Sequence, residues 1–260
     1  MAKETEKKNK EIETKKSNAP ALIIGGVLLV ALLGGWYWIS SSRSATPAAN
    51  NAARPNANAP AKTSSIPPNA PAGATPPNFT GSPTAQVTVE EFADYQCGSC
   101  ATAHPVLNEI KSMYGSRIKF VFRNFPLLNM HDKAYDAAVI AEAAGLQGKF
   151  WDMQNQLFIN QSTWISSPNY KQLWNDYAQK IGLDTARLGT DVAGLAAKGR
   201  VDADLQRAKA IGVTGTPTIY VNGQSIGNTI RVDVLKTAID AELQKVSAPA
   251  ANPAPANANQ

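Results

Sequence analysis

The sequence of 260 residues predicts an α/β domain preceded by one transmembrane helix and a disordered linker. Three observations predict this architecture. A β-α-β pattern begins near residue 85, a β-β-α pattern ends near residue 246, and the stretch between them has helical spacing. We therefore expect one domain over residues 83–246, in which a helical insertion at about residues 130–211 separates two α/β halves.

The N-terminal region has the composition of a membrane anchor. No charged residue lies between Lys16 and Arg43. At about 1.5 Å per residue, the apolar stretch within residues 19–40 is long enough to cross a bilayer. We expect a retained transmembrane helix, because the h-region of a cleaved signal peptide is shorter. A cleaved signal or a buried globular helix remain the alternatives.

The charges around this stretch predict its orientation. Six lysines precede it, whereas only Arg43 and Arg54 follow it closely. Lysine and arginine favour the cytoplasmic side, so we expect residues 1–18 in the cytoplasm and the domain outside it, where disulfides persist. The net charge of +5 is small and dispersed, which argues against a nucleic-acid partner.

Two further segments have the composition of disordered chain. Residues 41–82 and 247–260 consist mainly of Ala, Asn, Pro, Ser and Thr. Such sequences bury too little apolar surface to offset the entropy lost on ordering. We expect the first to be a flexible linker and the second a flexible tail.

The elements of the domain follow from hydrophobic periodicity. "AQVTVEEFADY" and "RIKFVFRNF" read as strands, and "SCATAHPVLNEIKSMYG" between them reads as a helix. The stretch from Asp132 to Ile211 carries helical spacing interrupted by "SSPN" and "GLD". "TPTIYVNGQSIG" predicts two strands joined at Asn222-Gly223, and "VDVLKTAIDAELQKV" predicts a closing amphipathic helix.

Cys97 and Cys100 are the only cysteines of the chain. A structural zinc site usually needs four Cys or His ligands, and only His104 and His131 are left to complete one. A structural disulfide over so short a loop would add little stability. A redox dithiol is therefore favoured over both alternatives.

The position of Cys97 supports this interpretation. It falls at the predicted start of a helix, where free backbone N–H groups and the helix dipole stabilise an anion such as a thiolate. Cys100 lies one turn further and is placed to attack a mixed disulfide formed by Cys97.

Together with the later "GTPTIYV" at residues 215–221, the C-x-x-C motif resembles the thioredoxin superfamily, specifically its DsbA-like branch. The resemblance covers about residues 78–246 and includes the helical insertion and the "FRNFPL" stretch. It implies that Cys97 is the nucleophile and Cys100 the resolving thiol. It also implies that Pro217 is a cis-proline facing them and that Thr216 presents its backbone to an extended substrate peptide.

The resemblance further implies an enzyme without cofactor or metal that introduces disulfides into exported bacterial proteins. Its partners would be reduced cysteine-containing exported proteins and a membrane redox partner that reoxidises it. Its location would be the bacterial inner membrane, as a single-pass protein with a periplasmic or extracytoplasmic domain. A reductase or isomerase with the same residues is one alternative, and a copper chaperone using Cys97, Cys100 and His104 is another.

Glu91 is a further candidate catalytic residue. Val87, Val89 and Glu91 share one strand face, so the carboxyl continues an apolar row. Burial there would raise its pKa and allow it to exchange a proton with Cys100. Members of the branch commonly carry a buried acid six residues before the nucleophile, here Cys97. A strand-end residue facing solvent is the alternative.

The sequence also departs from the oxidase pattern. DsbA-type enzymes often carry a His before the second cysteine, where this chain has Ser99. We therefore expect a Cys97 pKa between about 3.5, as in DsbA, and about 7, as in thioredoxin. His104 precedes Pro105 inside the helix and is expected to be structural, whereas His131 is expected on the surface.

Overall fold

The computed structural model describes residues 65–227 and 229–247. The strands in this part of the chain are β1 (Asn78–Gly81), β2 (Val87–Ala93), β3 (Ile118–Asn124), β4 (Thr218–Val221) and β5 (Gln224–Ser225). The α-helices are α1 (Gly98–Tyr114), α2 (Ala134–Gly145), α3 (Phe150–Ile159), α4 (Gln161–Ser166), α5 (Tyr170–Lys180), α6 (Thr185–Ala193), α7 (Leu195–Ala210) and α8 (Val232–Ser247).

The five strands form one mixed sheet in the order β1-β3-β2-β4-β5. The central strand β2 runs parallel to β3 and antiparallel to β4. Ala93 at the end of β2 lies opposite Asn124, and Phe92 lies opposite Thr218 at the start of β4. This register brings the segment after β2 and the segment before β4 to the same edge of the sheet.

Two hydrophobic cores lie on the two faces of the sheet. The smaller core packs alternate residues of the strands, including Val89, Phe120 and Ile219, against α1 and α8 through Leu107 and Leu235. The larger core lies between the sheet and the helical insertion and contains both cysteines. The period-two alternation of β2 explains how one strand supplies both cores.

The sequence predictions of the β-α-β unit, the helical insertion and the β-β-α unit are confirmed. Helices α2 to α7 occupy the insertion between β3 and β4, within the predicted limits. Asn222 and Gly223, at φ of 46° and 77°, form the predicted turn between β4 and β5. Both residues adopt the positive φ that a two-residue type I′ hairpin turn requires.

The sequence predicts a disordered linker over residues 41–82. This prediction is wrong in the part that the structure describes, residues 65–82. Residues 78–81 form strand β1, which pairs with β3. The indole N–H of Trp151 donates to the carbonyl of Phe79 at 3.1 Å, and the Asn78 amide donates to Glu142 at 2.7 Å. These partners belong to distant parts of the chain, so the local composition of the segment did not reveal them.

A buried polar network holds residues 71–74, which precede β1, against the domain. Arg123 of β3 pairs with Glu90 at 2.7 Å and with Asp204 of α7 at 3.0 Å. Arg207 makes two hydrogen bonds of 2.8 Å to the same Glu90 carboxylate. Asp204 also accepts the backbone N–H of Ala74 at 2.8 Å. Every charge in this network has a partner, as buried charges require.

Gly73 allows the backbone to approach this network. Its φ of 77° lies in the left-handed region, and an added Cβ would lie 2.8 Å from both Arg123 Nη1 and Asp204 Oδ1. A side chain at this position would therefore displace the ion pair as well as strain the backbone.

Several predicted segments lie outside the described residues. They are the cytoplasmic segment 1–18, the transmembrane helix 19–40, the first part of the linker and nearly all of the tail 247–260. Among the helices within residues 65–227 and 229–247, none has the length and apolar character needed to span a membrane.

Candidate active site

The two cysteines lie where β2 gives way to α1, as the sequence predicts. Cys97 is the N-cap residue of α1, which begins at Gly98. The backbone N–H groups of Cys100 and Ala101 donate to the Cys97 carbonyl at 3.1 and 3.2 Å. Both cysteines are free thiols, with Cys97 8% exposed and Cys100 fully buried. Cys97 is therefore the thiol that a partner can approach first.

The surroundings of Cys97 favour its thiolate. A hydrogen bond from the Cys100 thiol is the largest contribution, and hydrogen bonds from Thr216 and from the backbone of Cys100 and Ser99 add to it. Together they outweigh the effect of burial and lower the pKa of Cys97 to about 5. This pKa lies within the range expected from the sequence. The backbone donors of Ser99 and Cys100 lie at the helix start, where the sequence predicts such donors.

Cys100 has the opposite environment. Burial raises the pKa of its thiol far above the ordinary value, and the adjacent Cys97 raises it further. At neutral pH the reduced protein therefore holds one thiolate and one thiol. This asymmetry is the electrostatic arrangement that a dithiol needs for disulfide exchange.

The Thr216-Pro217 peptide bond is cis, as predicted. It faces the dithiol, because the Cys97 thiol donates to the Thr216 carbonyl at 3.5 Å. The Thr216 hydroxyl is buried and has no hydrogen-bond partner among residues 65–227 and 229–247, so it is available to a Cys97 thiolate. The register between β2 and β4 explains this proximity.

Two clefts border the segment that contains the Thr216-Pro217 bond. A cleft of about 320 Å³ is lined by residues 212–218 together with Tyr220, Ser225 and Gly227. A second cleft of about 230 Å³ is lined by Ser99, Pro217 and Ile230, among others. Both clefts reach residues adjacent to the dithiol.

Glu91 is 3% exposed and lies on the strand face predicted for it, opposite Phe122 and Ile219. Burial raises the pKa of Glu91 to about 7, although the positive charge of Lys111 opposes the shift. Lys111 extends from α1 over the rings of Phe120 and Trp151. The buried placement of Glu91 agrees with the sequence, and its catalytic role stays a prediction.

The two histidines differ from each other. His104 is buried, and its Nε2 lies 3.0 Å from Asn155 Oδ1 and 3.1 Å from Asn108 Nδ2. His131, expected on the surface, is only partly exposed, because its Nδ1 lies 2.7 Å from the buried Asp94 carboxylate. The sequence position of His131 in a loop did not reveal this partner.

Sequence reasoning missed two polar residues that shape the loop before Cys97. The Asp94 carboxylate accepts the N–H of Gln96 at 2.7 Å, a local turn typical of Asp after a strand. Gln161 of α4 donates to the carbonyls of Tyr95 and Cys97 at 2.8 and 2.9 Å. The Asp94 turn had a local signal, whereas nothing in the sequence near Gln161 pointed to this contact.

Within the described residues, no group of three or more His, Cys, Asp or Glu side chains is arranged to hold a metal ion.

Residues 74–241 match the family model Thioredoxin_4, described as thioredoxin. The chain belongs to this thioredoxin family. The match includes both cysteines, Glu91 and the Thr216-Pro217 segment, and it begins within the segment that the sequence assigned to the linker.

Curated relatives match a shorter part of the chain. A Na(+)/H(+) antiporter NhaA 1 from Mycolicibacterium gilvum is 36% identical over 146 residues, which are 55% of this chain and 23% of the relative. A Na(+)/H(+) antiporter NhaA 3 from Salinispora tropica is 34% identical over 155 residues, 60% of this chain and 23% of the relative. The chain thus spans about a quarter of the length of these relatives.

Solved structures share the fold. BdbD from Bacillus subtilis, in its oxidised form, is 27% identical with a TM-score of 0.54, covering 67% of this chain and 98% of that chain. A thioredoxin-like oxidoreductase from Silicibacter pomeroyi is 24% identical with a TM-score of 0.56, covering 66% and 94%. The thiol-disulfide exchange protein α-DsbA2 from Wolbachia pipientis is 20% identical with a TM-score of 0.55, covering 64% and 86%.

Proposed function

We propose that this protein is a thiol-disulfide oxidoreductase that introduces disulfides into exported proteins. The observation that carries the proposal is the asymmetry of the dithiol: Cys97 is the more accessible thiol with a pKa of about 5, and Cys100 is buried with a raised pKa. A stabilised Cys97 thiolate favours the reduced protein, so the oxidised form gives up its disulfide readily.

The reaction begins with the oxidised protein. A substrate thiolate attacks the Cys97 sulfur, the Cys97–Cys100 bond breaks, and a mixed disulfide forms between substrate and Cys97. The sulfur of Cys100 leaves with the electron pair and takes a proton. Glu91 is suited to supply that proton, because burial raises its pKa to about 7.

A second substrate thiolate then attacks the substrate sulfur of the mixed disulfide. The Cys97 sulfur leaves as a thiolate, which its hydrogen-bond donors stabilise. The two substrate thiols have lost two electrons and two protons and hold a new disulfide. The protein has gained both electrons and is now a Cys97 thiolate and a Cys100 thiol, so one proton has gone to Cys100 and the other to solvent. A membrane redox partner that accepts two electrons would restore the Cys97–Cys100 disulfide.

The clefts beside Pro217 support a polypeptide substrate. Thr216 and Pro217 lie before strand β4 and line the first cleft, and Pro217 also lines the second. An extended peptide in this space could hydrogen-bond the Thr216 backbone while its cysteine reaches Cys97. The substrates we propose are therefore exported polypeptides that are still unfolded enough to present an extended cysteine-containing segment.

The cellular placement follows from the sequence. We propose a bacterial inner-membrane protein with a cytoplasmic N-terminus and a periplasmic or extracytoplasmic domain. The uncharged stretch between Lys16 and Arg43 and the lysines before it support this topology. It would keep the domain near a membrane partner and in a compartment where disulfides persist.

A stoichiometric oxidation assay tests the activity. The oxidised full-length protein is mixed with a reduced, unfolded polypeptide that contains two cysteines, and disulfide formation is followed by mass. We expect one substrate disulfide per molecule of oxidised protein and none with Cys97→Ser. If the protein instead reduces disulfides of the polypeptide when supplied with a thiol reductant, a reductase or isomerase role replaces the oxidase role.

A further inference from the structure

The loop before the dithiol is fixed by a second loop, residues 125–133. The N–H of Phe125 donates to the Ala93 carbonyl at 2.8 Å. Further along, the N–H of Lys133 donates to the side-chain oxygen of Gln96 at 2.8 Å, and the Gln96 amide donates to Asp132 at 2.9 Å. The two loops are thus joined at both ends by hydrogen bonds.

Asp94 forms the centre of this contact. Its side chain is fully buried, and one carboxylate oxygen accepts the N–H of Gln96 at 2.7 Å. The other oxygen accepts the N–H of Leu127 at 2.8 Å and lies 2.7 Å from His131 Nδ1. Three donors therefore surround one buried carboxylate, and His131 is the only side chain among them.

The same residue determines how the chain enters α1. The Asp94 carbonyl accepts the N–H of Cys97 at 3.1 Å, while its carboxylate holds the intervening Gln96. The turn from Asp94 to Cys97 is therefore fixed at its backbone and at its side chain. The direction of the Cys97 sulfur depends on this turn, because Cys97 is the last residue before the helix.

We propose that the Asp94–His131 pair is a positioning unit for the nucleophile: His131 donates its Nδ1–H to Asp94, and Asp94 holds the turn that directs the Cys97 sulfur toward its hydrogen-bond donors. Neither residue needs to touch a reacting sulfur for this role. The inference rests on the proposed thiol-disulfide exchange and assigns it two residues beyond the C-x-x-C motif.

The positioning role makes a different prediction from a purely structural one. A structural contact contributes to the free energy of unfolding, and its loss need not change the thiolate. A positioning contact also changes the chemistry of Cys97 when it is lost, because a misdirected sulfur loses part of its hydrogen bonding. A substitution that keeps the donor near Asp94 should preserve that chemistry.

The test compares two variants of one residue in the full-length reduced protein. In His131→Asn the side-chain amide can donate from about the position of Nδ1, whereas His131→Leu has similar bulk and no donor. Thiolate absorbance gives the Cys97 pKa, and equilibration with glutathione gives the redox equilibrium constant. Urea unfolding reports stability, and the exposed loop neighbour Asn129→Ala serves as a control.

For His131→Leu we expect the Cys97 pKa to rise by about one unit, which lowers the thiolate fraction at pH 5 about fivefold. The glutathione equilibrium constant should shift about tenfold toward the oxidised protein, since the reduced form loses stabilisation. His131→Asn and Asn129→Ala should remain within about twofold of the unsubstituted protein. Asp94→Asn should move both quantities in the same direction as His131→Leu.

A His131→Leu protein that is folded and less stable, yet keeps the original pKa and equilibrium constant, overturns the positioning role. So does an Asn variant that behaves like the Leu variant. An ordinary thiol pKa and no disulfide exchange in the unsubstituted protein would instead refute the proposed function. Failure of the positioning role is therefore seen in the His131 variants, whereas failure of the proposed function is seen in the unsubstituted protein.

Discussion

The Cys97 thiol lies 3.5 Å from the backbone carbonyl of Thr216, a residue 119 positions later in the chain. The contact arises because β2 and β4 are antiparallel neighbours, so the end of one and the start of the other share an edge. Thr216 thus presents both its carbonyl and its buried hydroxyl at the nucleophile.

The hydroxyl of Thr216 should contribute to the acidity of Cys97. Thr216→Val removes this donor and leaves the shape of the side chain nearly unchanged. Because a hydrogen bond to a charged group contributes about 1.5–3 kcal/mol, we expect the Cys97 pKa to rise by about one to two units. Thiolate absorbance measures the change. Thr214→Val, at an exposed position of the same loop, is the control and should have no effect.

The two cysteines should differ in the products they trap. Cys100→Ser leaves a Cys97 thiol with no resolving partner, so mixed disulfides with cysteine-containing peptides should accumulate. Cys97→Ser leaves only the fully buried Cys100, whose pKa is raised, and should trap little. Mass spectrometry under non-reducing conditions separates the outcomes. Equal trapping by both variants would contradict the assignment of Cys97 as the preferred attacking thiol.

Glu91 should make the reduced protein less stable as the pH rises. Its pKa is about 7 when folded, above the ordinary value, because burial disfavours the charge. Between about pH 4.3 and 7 the folded state binds more protons than the unfolded state, so the free energy of unfolding falls with pH. Glu91→Gln should therefore be more stable than the unsubstituted protein at pH 8, by about 1–3 kcal/mol.

The same substitution should have little effect on stability at pH 4, where the Glu91 carboxyl is protonated in the folded state and mostly protonated in the unfolded state. Urea unfolding at the two pH values measures the difference, with the exposed Glu109→Gln as the control. A Glu91→Gln gain that is equal at pH 4 and pH 8 would show that the carboxyl is not neutralised by burial. Glu91→Gln should also slow formation of the mixed disulfide, because Cys100 leaves in that step and takes a proton.

The sequence predicted the parts of the site that depend on local patterns. Cys97 and Cys100 were placed at a helix start by hydrophobic periodicity, and alternation along β2 placed Glu91 on an apolar face. Contacts between distant segments were not predicted, because no local pattern records them. The donation of Gln161 to the loop and the pairing of His131 with Asp94 are of this kind.

Over the described residues, the linker prediction failed for a related reason. A segment rich in Pro and Ala lacks hydrophobic periodicity, but in this protein its order comes from backbone groups that satisfy buried charges. The carbonyl of Ala74 accepts from Arg123 at 3.0 Å, and the carbonyl of Pro71 accepts from Arg207 at 2.6 Å. The arginines that provide this order lie on β3 and α7, far away in sequence.

Truncation should show where the domain begins. A chain starting at residue 65 keeps these contacts, whereas a chain starting at residue 78 leaves Arg123 and Asp204 with missing partners. We expect the shorter chain to be less stable by about 2–4 kcal/mol, the cost of unsatisfied hydrogen bonds to buried charged groups. Urea unfolding of the two chains measures it. Equal stabilities would mean that residues 65–77 do not belong to the folded domain.

The reduction potential of the full-length protein against glutathione tests the central claim most directly, because the stabilised Cys97 thiolate and the oxidising power of the disulfide express the same free energy. With a Cys97 pKa of about 5, we predict a potential above that of thioredoxin, about −270 mV, and below that of DsbA, about −120 mV. A potential at or below about −270 mV would contradict the oxidase function and favour a reductase function instead.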